Sequence, residues 1–381
     1  MSAARKLRFL HLHSSFHAGG KELRAAALMS AFGPAIHHTV VSAIPDALDA
    51  AHAVSPNIRA SYPRDFPALA GRPTPGRLRR LAQAMRGFDL VLTYNWGAMD
   101  AVMARTVFAR QYGLPPLIHH EDGFNQDEAA GLKPLRNWYR RIALHNAAAL
   151  VVPSARLEAI ALTAWYQPRA KVRRIANGIP TAKYGRKPRP DAIPRVIKQA
   201  GERWLGTLAG LRRVKNLPRL VRAFAGLPEE WQLVILGEGP EREAIRAEAV
   251  RLNVGYRVHL PGFVAEPAKV VGLFDLFALS SDSEQFPISV VEAMAAGLTV
   301  AAPDVGDVRA MLAPENRRFI AAPGDEGGLA ATLAELAADP ALRKTVGEAN
   351  RRRARAEYDE AAMVAAYRRV YASAMGLPAL P

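Results

Sequence analysis

The chain has 381 residues, 50% of them apolar and 23% charged, long enough for two domains at roughly 100–200 residues each, and unlike disordered or collagen-like sequences. It has no cysteine, which excludes disulfides, thiolate metal sites and a cysteine nucleophile. Its net charge of +16 is unevenly placed: residues 1–180 hold 23 Lys and Arg against 11 Asp and Glu, and residues 181–381 hold 28 against 24. A basic first half suits an anionic partner such as polyphosphate, nucleic acid or an anionic membrane surface. The alternative is arginine used for solubility alone.

The opening Met1–Leu10 is basic, and its apolar stretch is cut by His11 and His13, which does not read as a signal peptide. No apolar run reaches the roughly 18–20 residues that cross a bilayer. The expected setting is cytoplasmic, extending to the inner face of the cytoplasmic membrane.

Short apolar runs predict strands at Leu7–His13, His38–Ser42, Leu90–Tyr94, Leu117–His120 and Ala149–Val152. A second series follows at Leu205–Ala209, Gln232–Leu236, Val258–Leu260, Leu276–Ala278 and Thr299–Ala301. Helices fall between them. Leu329, Leu333 and Leu336 share a helix face, as do Met363, Tyr367, Val370 and Tyr371. The segment Pro180–Arg203, with four prolines and many charges, reads as a connection. Two alternating units imply two Rossmann-like domains with a cleft between them, and ligands in loops beyond the carboxyl ends of the strands.

Four such loops suit a phosphorylated ligand. Gly19-Gly20 lets amides approach an anion at a helix start, or is a plain turn. Arg212 and Lys215 follow a strand and reach a diphosphate, or form a solvated cluster. Gly237-Glu238-Gly239-Pro240 borders a nucleotide or simply connects strand to helix. In Ser283–Gly297, Ser289 and Glu292 fit a capping box, with Gly297 at the helix end. That box leaves Glu284 and Phe286-Pro287 unexplained. The rival reading opens the amides near Phe286, Pro287, Ile288 and Ser289 to a sugar or phosphate, with Glu292 accepting from ribose hydroxyls.

In the first half, His119-His120-Glu121-Asp122 lies just past a strand, where a histidine beside carboxylates serves as a base or an orienting donor. Adjacent strand residues point to opposite faces, so at most one of the two histidines faces the cleft. A metal centre lacks a second ligand cluster at suitable spacing.

Together these segments resemble glycosyltransferase family 4, retaining nucleotide-sugar transferases of the GT-B fold. The resemblance runs from Val152-Pro153-Ser154 through Asn177-Gly178-Ile179-Pro180, the Lys215-Asn216 loop and Gly237-Glu238-Gly239-Pro240. It ends with Glu284 and Glu292, eight residues apart, and the tail helix holding Tyr367 and Tyr371. It implies a first domain over 1–185, a nucleotide-sugar domain over 186–357, and a final helix at 358–377 returning to the first domain. It further implies Lys215 on the diphosphate, Glu292 on the ribose, and Glu284 with the 286–289 backbone on the donor sugar. Gly19 and Gly20 would approach the diphosphate from the other domain. The sequence departs from the family in three places. Gly210 stands where an arginine is usual, with Arg212 as a substitute; Asp122 precedes Gly123 where a histidine is usual; and Gln285 replaces a glycine.

The expected activity is sugar transfer from a UDP- or GDP-linked donor to a hydroxyl acceptor, lipid-linked or part of a cell-surface glycan precursor. It would proceed with retention and with neither metal nor cofactor. His120, Asp122, Glu284 and Lys215 are the expected catalytic groups, with His119 an alternative in the first-domain loop. Rival activities are a nucleotide-sugar epimerase or a sugar-phosphate synthase on the same fold. A nucleic-acid binder has charge alone in its favour, and no nucleic-acid partner is expected. Donor base and sugar, acceptor and oligomeric state are not written in the sequence.

Overall fold

The computed structural model describes residues 6–124, 128 and 131–381. Contacts divide the chain into two units, residues 1–176 with 363–381, and residues 177–362.

In unit 1, β1 (Leu7–His13), α1 (Gly20–Phe32), β2 (Ile36–Ser42), β3 (Arg59–Ser61), α2 (Pro75–Ala84) and β4 (Leu90–Tyr94) come first. They are followed by α3 (Met99–Tyr112), β5 (Leu117–His120), α4 (Pro134–Ala143), β6 (Ala149–Val152), α5 (Ala155–Thr163) and β7 (Val172–Arg174). The strands form one parallel sheet in the order β3-β2-β1-β4-β5-β6-β7. Because both faces are covered, the central strands are buried along their length, which is why they read as apolar runs. Leu10, Leu12 and Val91 face a core under α2 to α5, and Phe9, Leu90 and Leu92 face one under α1.

Unit 2 holds β8 (Arg203–Leu208), α6 (Leu217–Ala225), β9 (Trp231–Leu236), α7 (Arg242–Arg251), β10 (Val258–Gly262), β11 (Leu276–Ala278) and α8 (Ile288–Ala295). It continues with β12 (Val300–Pro303), α9 (Val308–Met311), β13 (Ile320–Ala321), α10 (Glu326–Ala338) and α11 (Pro340–Glu357). Its parallel order is β10-β9-β8-β11-β12-β13. The register of β10 slips between His259 and Gly262, around Pro261, which has no N–H to give the ladder. The last helix, α12 (Glu360–Ala374), begins in unit 2 and buries Met363, Tyr367 and Tyr371 in the α1-side core of unit 1.

Helix starts follow the sequence. Ser154, Asp325 and Asp339 accept from Leu157, Gly328 and Leu342 amides at 3.0, 2.8 and 2.9 Å, and Pro340 occupies the first turn after Asp339.

Four expectations change. The first domain ends at 176 rather than 185. Residues 177–185 join unit 2 because Ile179 bridges Asp359 and Tyr184 bonds Glu292. The short edge strands β3, β7 and β13 lack an apolar run long enough to announce them. Ser289 does not cap α8; Pro287 stands at that position, without a side-chain bond. Not every charge of the basic first half is open to an anionic partner: Arg77 is buried against Asp100 and the Ala68 and Leu69 carbonyls, and Arg140 against Glu128.

Candidate functional site

The expected residues fall into two groups, one in each unit. In unit 2, Lys215 ends a short 3-10 turn beyond β8, and Glu284 lies in the loop between β11 and α8. Their topology puts them at neighbouring strand ends, and Lys215 Nζ donates to Glu284 Oε1 at 2.5 Å. Ser281 Oγ donates to the same oxygen at 2.7 Å. Asp282, two residues earlier, is held by Arg219 at 2.7 Å and by Asn216 at 3.2 Å. The two carboxylates of Asp282-Ser283-Glu284 thus already face cations. Among the described residues no group of three or more His, Asp or Glu is arranged to hold a metal.

Pro287 begins α8 with no side-chain bond to the first turn, so the Ile288 and Ser289 amides keep no acceptor among the described residues. Phe286 is fixed edge-on to Tyr358, with ring centroids 5.5 Å apart. One helical turn in, Glu292 is half-buried, and Tyr184 donates to its Oε1 at 2.9 Å. Burial raises the Glu292 carboxyl to about 7, and the Tyr184 bond opposes the rise. Tyr184 was not anticipated, since no local pattern connects residues 108 apart.

Arg212 is exposed on the loop before Lys215. Gly237 has φ +149°, and a Cβ there would stand 1.9 Å from the Ala209 carbonyl oxygen. The close approach it permits is to protein backbone, between the β9 turn and the loop leading to Arg212.

In unit 1, His119 and His120 point to opposite faces of β5. His119 Nδ1 meets Thr93 Oγ1 at 2.8 Å, and its Nε2 lies 3.7 Å from buried Glu121. His120 faces α12: its Nδ1 donates to the Thr93 carbonyl at 3.2 Å, which leaves Nε2 to accept from the Tyr371 hydroxyl at 2.9 Å. With both nitrogens engaged, the His120 ring stays neutral, and burial, then the nearby Arg24 charge, pulls its pKa down to about 3. Asp122, beyond the strand end, is gripped by both terminal nitrogens of Arg24, one at 2.8 Å. Burial opposes its charge, but the Arg24 guanidinium overrides that and keeps the carboxylate ionised. Asn95 Oδ1 accepts the Asp122 amide at 2.8 Å, from a residue with φ 55° and ψ −172°. Gly19 stands at the N-cap of α1, and Gly20 is its first residue. Arg24 and Asn95 escaped sequence reasoning; an arginine amid the apolar face of α1 was the available signal.

Residues 18–183 match the family described as Glycosyltransferase Family 4, and residues 189–353 the family described as Glycosyl transferases group 1. Over 172 residues the chain is 27% identical to N-acetyl-alpha-D-glucosaminyl L-malate synthase of Bacillus anthracis, covering 45% of each chain, less than half of that relative. Over 300 residues it is 27% identical to a GDP-mannose-dependent alpha-mannosyltransferase of Mycolicibacterium smegmatis, covering 76% of this chain and 75% of the other. Among solved structures, sucrose-phosphate synthase of Thermosynechococcus elongatus aligns with TM-score 0.79 at 23% identity, over 97% of this chain and 99% of the other. HepE of Anabaena in complex with UDP aligns with TM-score 0.78 at 20% identity, over 96% and 100%.

Proposed function

The chain belongs to glycosyltransferase family 4 and has the two-unit α/β fold of the GT-B class, and on that premise we propose that it is a retaining, metal-independent transferase using a nucleoside-diphosphate sugar. The acceptor oxygen bonds to the anomeric carbon as the bond from that carbon to the diphosphate breaks. The acceptor proton passes to the departing phosphate oxygen, on the face the leaving group vacates. The products are a glycoside and a nucleoside diphosphate.

The observation that carries this reading is the group at the end of β8 and β11, where Lys215 and Glu284 stand beside the open start of α8. Diphosphate binding draws Lys215 from Glu284 and adds Arg212 and the Ile288 and Ser289 amides, all stabilising the charge that grows on the leaving group. The freed Glu284 accepts from sugar hydroxyls, and Glu292 accepts from the ribose. Because the nearby carboxylates already face cations, the donor set suits fixed protein charge rather than a divalent ion. In unit 1, the ionised Asp122 at the strand end orients hydroxyl groups, and the Gly20 amide at the start of α1 meets an anionic group, while the Gly19 amide is held by the His17 carbonyl at 2.7 Å. The donor carries UDP or GDP; a relative uses GDP-mannose, and a structural neighbour holds UDP. The acceptor is lipid-borne, which suits the basic first half.

Nucleotide release from UDP- and GDP-sugars, with and without acceptor, tests this, together with the anomeric configuration of the product by NMR. Release that depends on acceptor, a retained anomer, activity unaffected by chelator, and a loss of roughly 10²–10³ in kcat for Lys215→Ala are expected. An inverted product or a fully active Lys215→Ala would overturn it.

A further inference from the structure

Helices α2, α3 and α4 lie side by side over one face of the unit 1 sheet. Arg79 Nε donates to the Tyr112 hydroxyl at 2.7 Å, joining α2 to α3, and Thr106 Oγ1 donates to the Ala143 carbonyl at 2.6 Å, joining α3 to α4. The inner side of this layer is core. Its outer side exposes large apolar groups: Leu135 is 80% exposed, Trp138 60%, Val107 57% and, next to the layer, Tyr166 65%. On α4, Leu135, Trp138 and Arg141 recur every third residue as one stripe, while Arg140 and Ala143 turn inward. Arg141 sits 4.3 Å over the Tyr166 ring, so stripe and ring are continuous.

The charge of this face separates it from an ordinary solvated surface. Residues 72–86, 99–112 and 133–146 carry eleven Lys and Arg and one acid, Asp100. Asp100 is already taken by Arg77 and Tyr139. Helix arginines of unit 2 are interspersed with acids instead, as in Arg222 with Glu248 and Glu326, Arg246 with Glu243, and Arg353 with Glu357. Solubility alone would place both signs here too. Nucleic acid accounts for the arginines but not for an exposed Leu135–Trp138 stripe. A bilayer interface takes both: leucine and tryptophan enter the boundary of headgroups and acyl chains, and arginines meet lipid phosphates.

We propose that the α2–α3–α4 face of unit 1 seats on an anionic lipid bilayer, with Leu135 and Trp138 inserted and Arg79, Arg80, Arg110 and Arg141 against the phosphates. The purpose of this docking rests on the transferase reading with a lipid-borne acceptor, but the binding itself does not require turnover. The test is co-sedimentation of the full chain with phosphatidylcholine vesicles, with and without a one-third share of phosphatidylglycerol, at low and high salt. Binding is expected only with the anionic lipid, and weaker in salt. Replacing Arg79, Arg80 and Arg141 together by Gln should weaken it about 100-fold, at about fivefold per charge. Leu135→Ser with Trp138→Ser should weaken it in a way that low salt does not restore. Equal binding to neutral vesicles, or no loss in either variant, overturns the proposal. So does a self-association that Leu135→Ser with Trp138→Ser abolishes in a chain that ignores vesicles, or a nucleic-acid affinity in place of lipid binding. Acceptor-dependent nucleotide release, measured on a soluble acceptor in the same variants, separates the two readings. Intact transfer without vesicle binding removes the docking face alone, and vesicle binding without transfer removes the transferase reading alone.

Discussion

At Glu292, burial and a hydrogen bond oppose each other, and burial wins, holding the carboxyl near 7. If the ionised group accepts ribose hydroxyls, donor KM should fall as pH rises through about 7, and Glu292→Gln should have a flat profile. A profile shared by both proteins would remove Glu292 from donor binding. The same shift acts on stability with a definite sign. The folded state holds this proton more tightly than the unfolded chain, so the contribution is complete below the ordinary carboxyl range and is lost as pH rises through about 7. Gly237 makes a second residue-scale prediction. At φ +149°, with the Ala209 oxygen 1.9 Å from a new Cβ, Gly237→Ala should cost about 2–6 kcal/mol. Gly113→Ala, at φ 56° with open space around it, should cost about 1–2 kcal/mol. Urea titration of the two variants compares them, and equal costs would contradict the contact argument.

A row of aromatic rings crosses the α1-side face of the first sheet: His38 on β2, His11 and His13 on β1, Tyr94 on β4 and His120 on β5. His11 Nε2 meets His38 Nδ1 at 2.9 Å, and the His13 ring lies 3.9 Å from that of Tyr94, which stacks in turn on His120 at 4.6 Å. Burial keeps these imidazoles neutral; His38 and His120 are both pulled down to about 3, and His11 and His13 lie well below their ordinary value. Since the unfolded chain takes protons near 6.5 that the fold refuses, stability is complete above that pH and is lost as pH falls toward about 3. Among the described residues neither ring nitrogen of His13 has a hydrogen-bond partner, so His13→Phe keeps the stacking and removes one site of protonation. Its acid limb, followed by thermal denaturation against pH, should be shallower, with neutral-pH stability changed by less than about 1 kcal/mol. His120→Phe breaks the bonds to Tyr371 and Thr93 and should cost about 1–3 kcal/mol. Identical acid limbs in wild type and His13→Phe would refute the role given to the row.

For the whole molecule, the last nineteen residues belong to the first unit. Tyr367 and Tyr371 pack among Phe9, Phe32, Tyr94 and His120, and each buried side chain of this size contributes roughly 1.5–3 kcal/mol. Against a typical total of 5–15 kcal/mol, deleting 363–381 should abolish cooperative folding of unit 1 while unit 2, whose cores lie elsewhere, remains folded. Hydrogen exchange would read this directly: lost protection in β1, β4 and β5, retained protection in β8, β9 and β11. Protection kept throughout would show that the tail helix is dispensable.

Local patterns carried the architecture. The runs Leu90–Tyr94 and Gln232–Leu236, the Asp339-Pro340 helix start and the stripe of Leu329, Leu333 and Leu336 depend on neighbours a few residues away, so a linear chain displays them. The same holds for the loops that carry Lys215 and Glu284. What a charge or ring touches is another matter, because folding brings its partner from far along the chain. Arg24 reaches Asp122 across 98 residues, Tyr184 reaches Glu292 across 108, and Tyr371 reaches His120 across 251. Those encounters turned His120 inward, kept Asp122 ionised, and withdrew Arg77 and Arg140 from the surface while leaving Leu135 and Trp138 on it. Residue type and spacing determine which groups are available near a strand end. Only three-dimensional proximity, acting through desolvation and Coulomb attraction over a few ångströms, decides which of them is left to act.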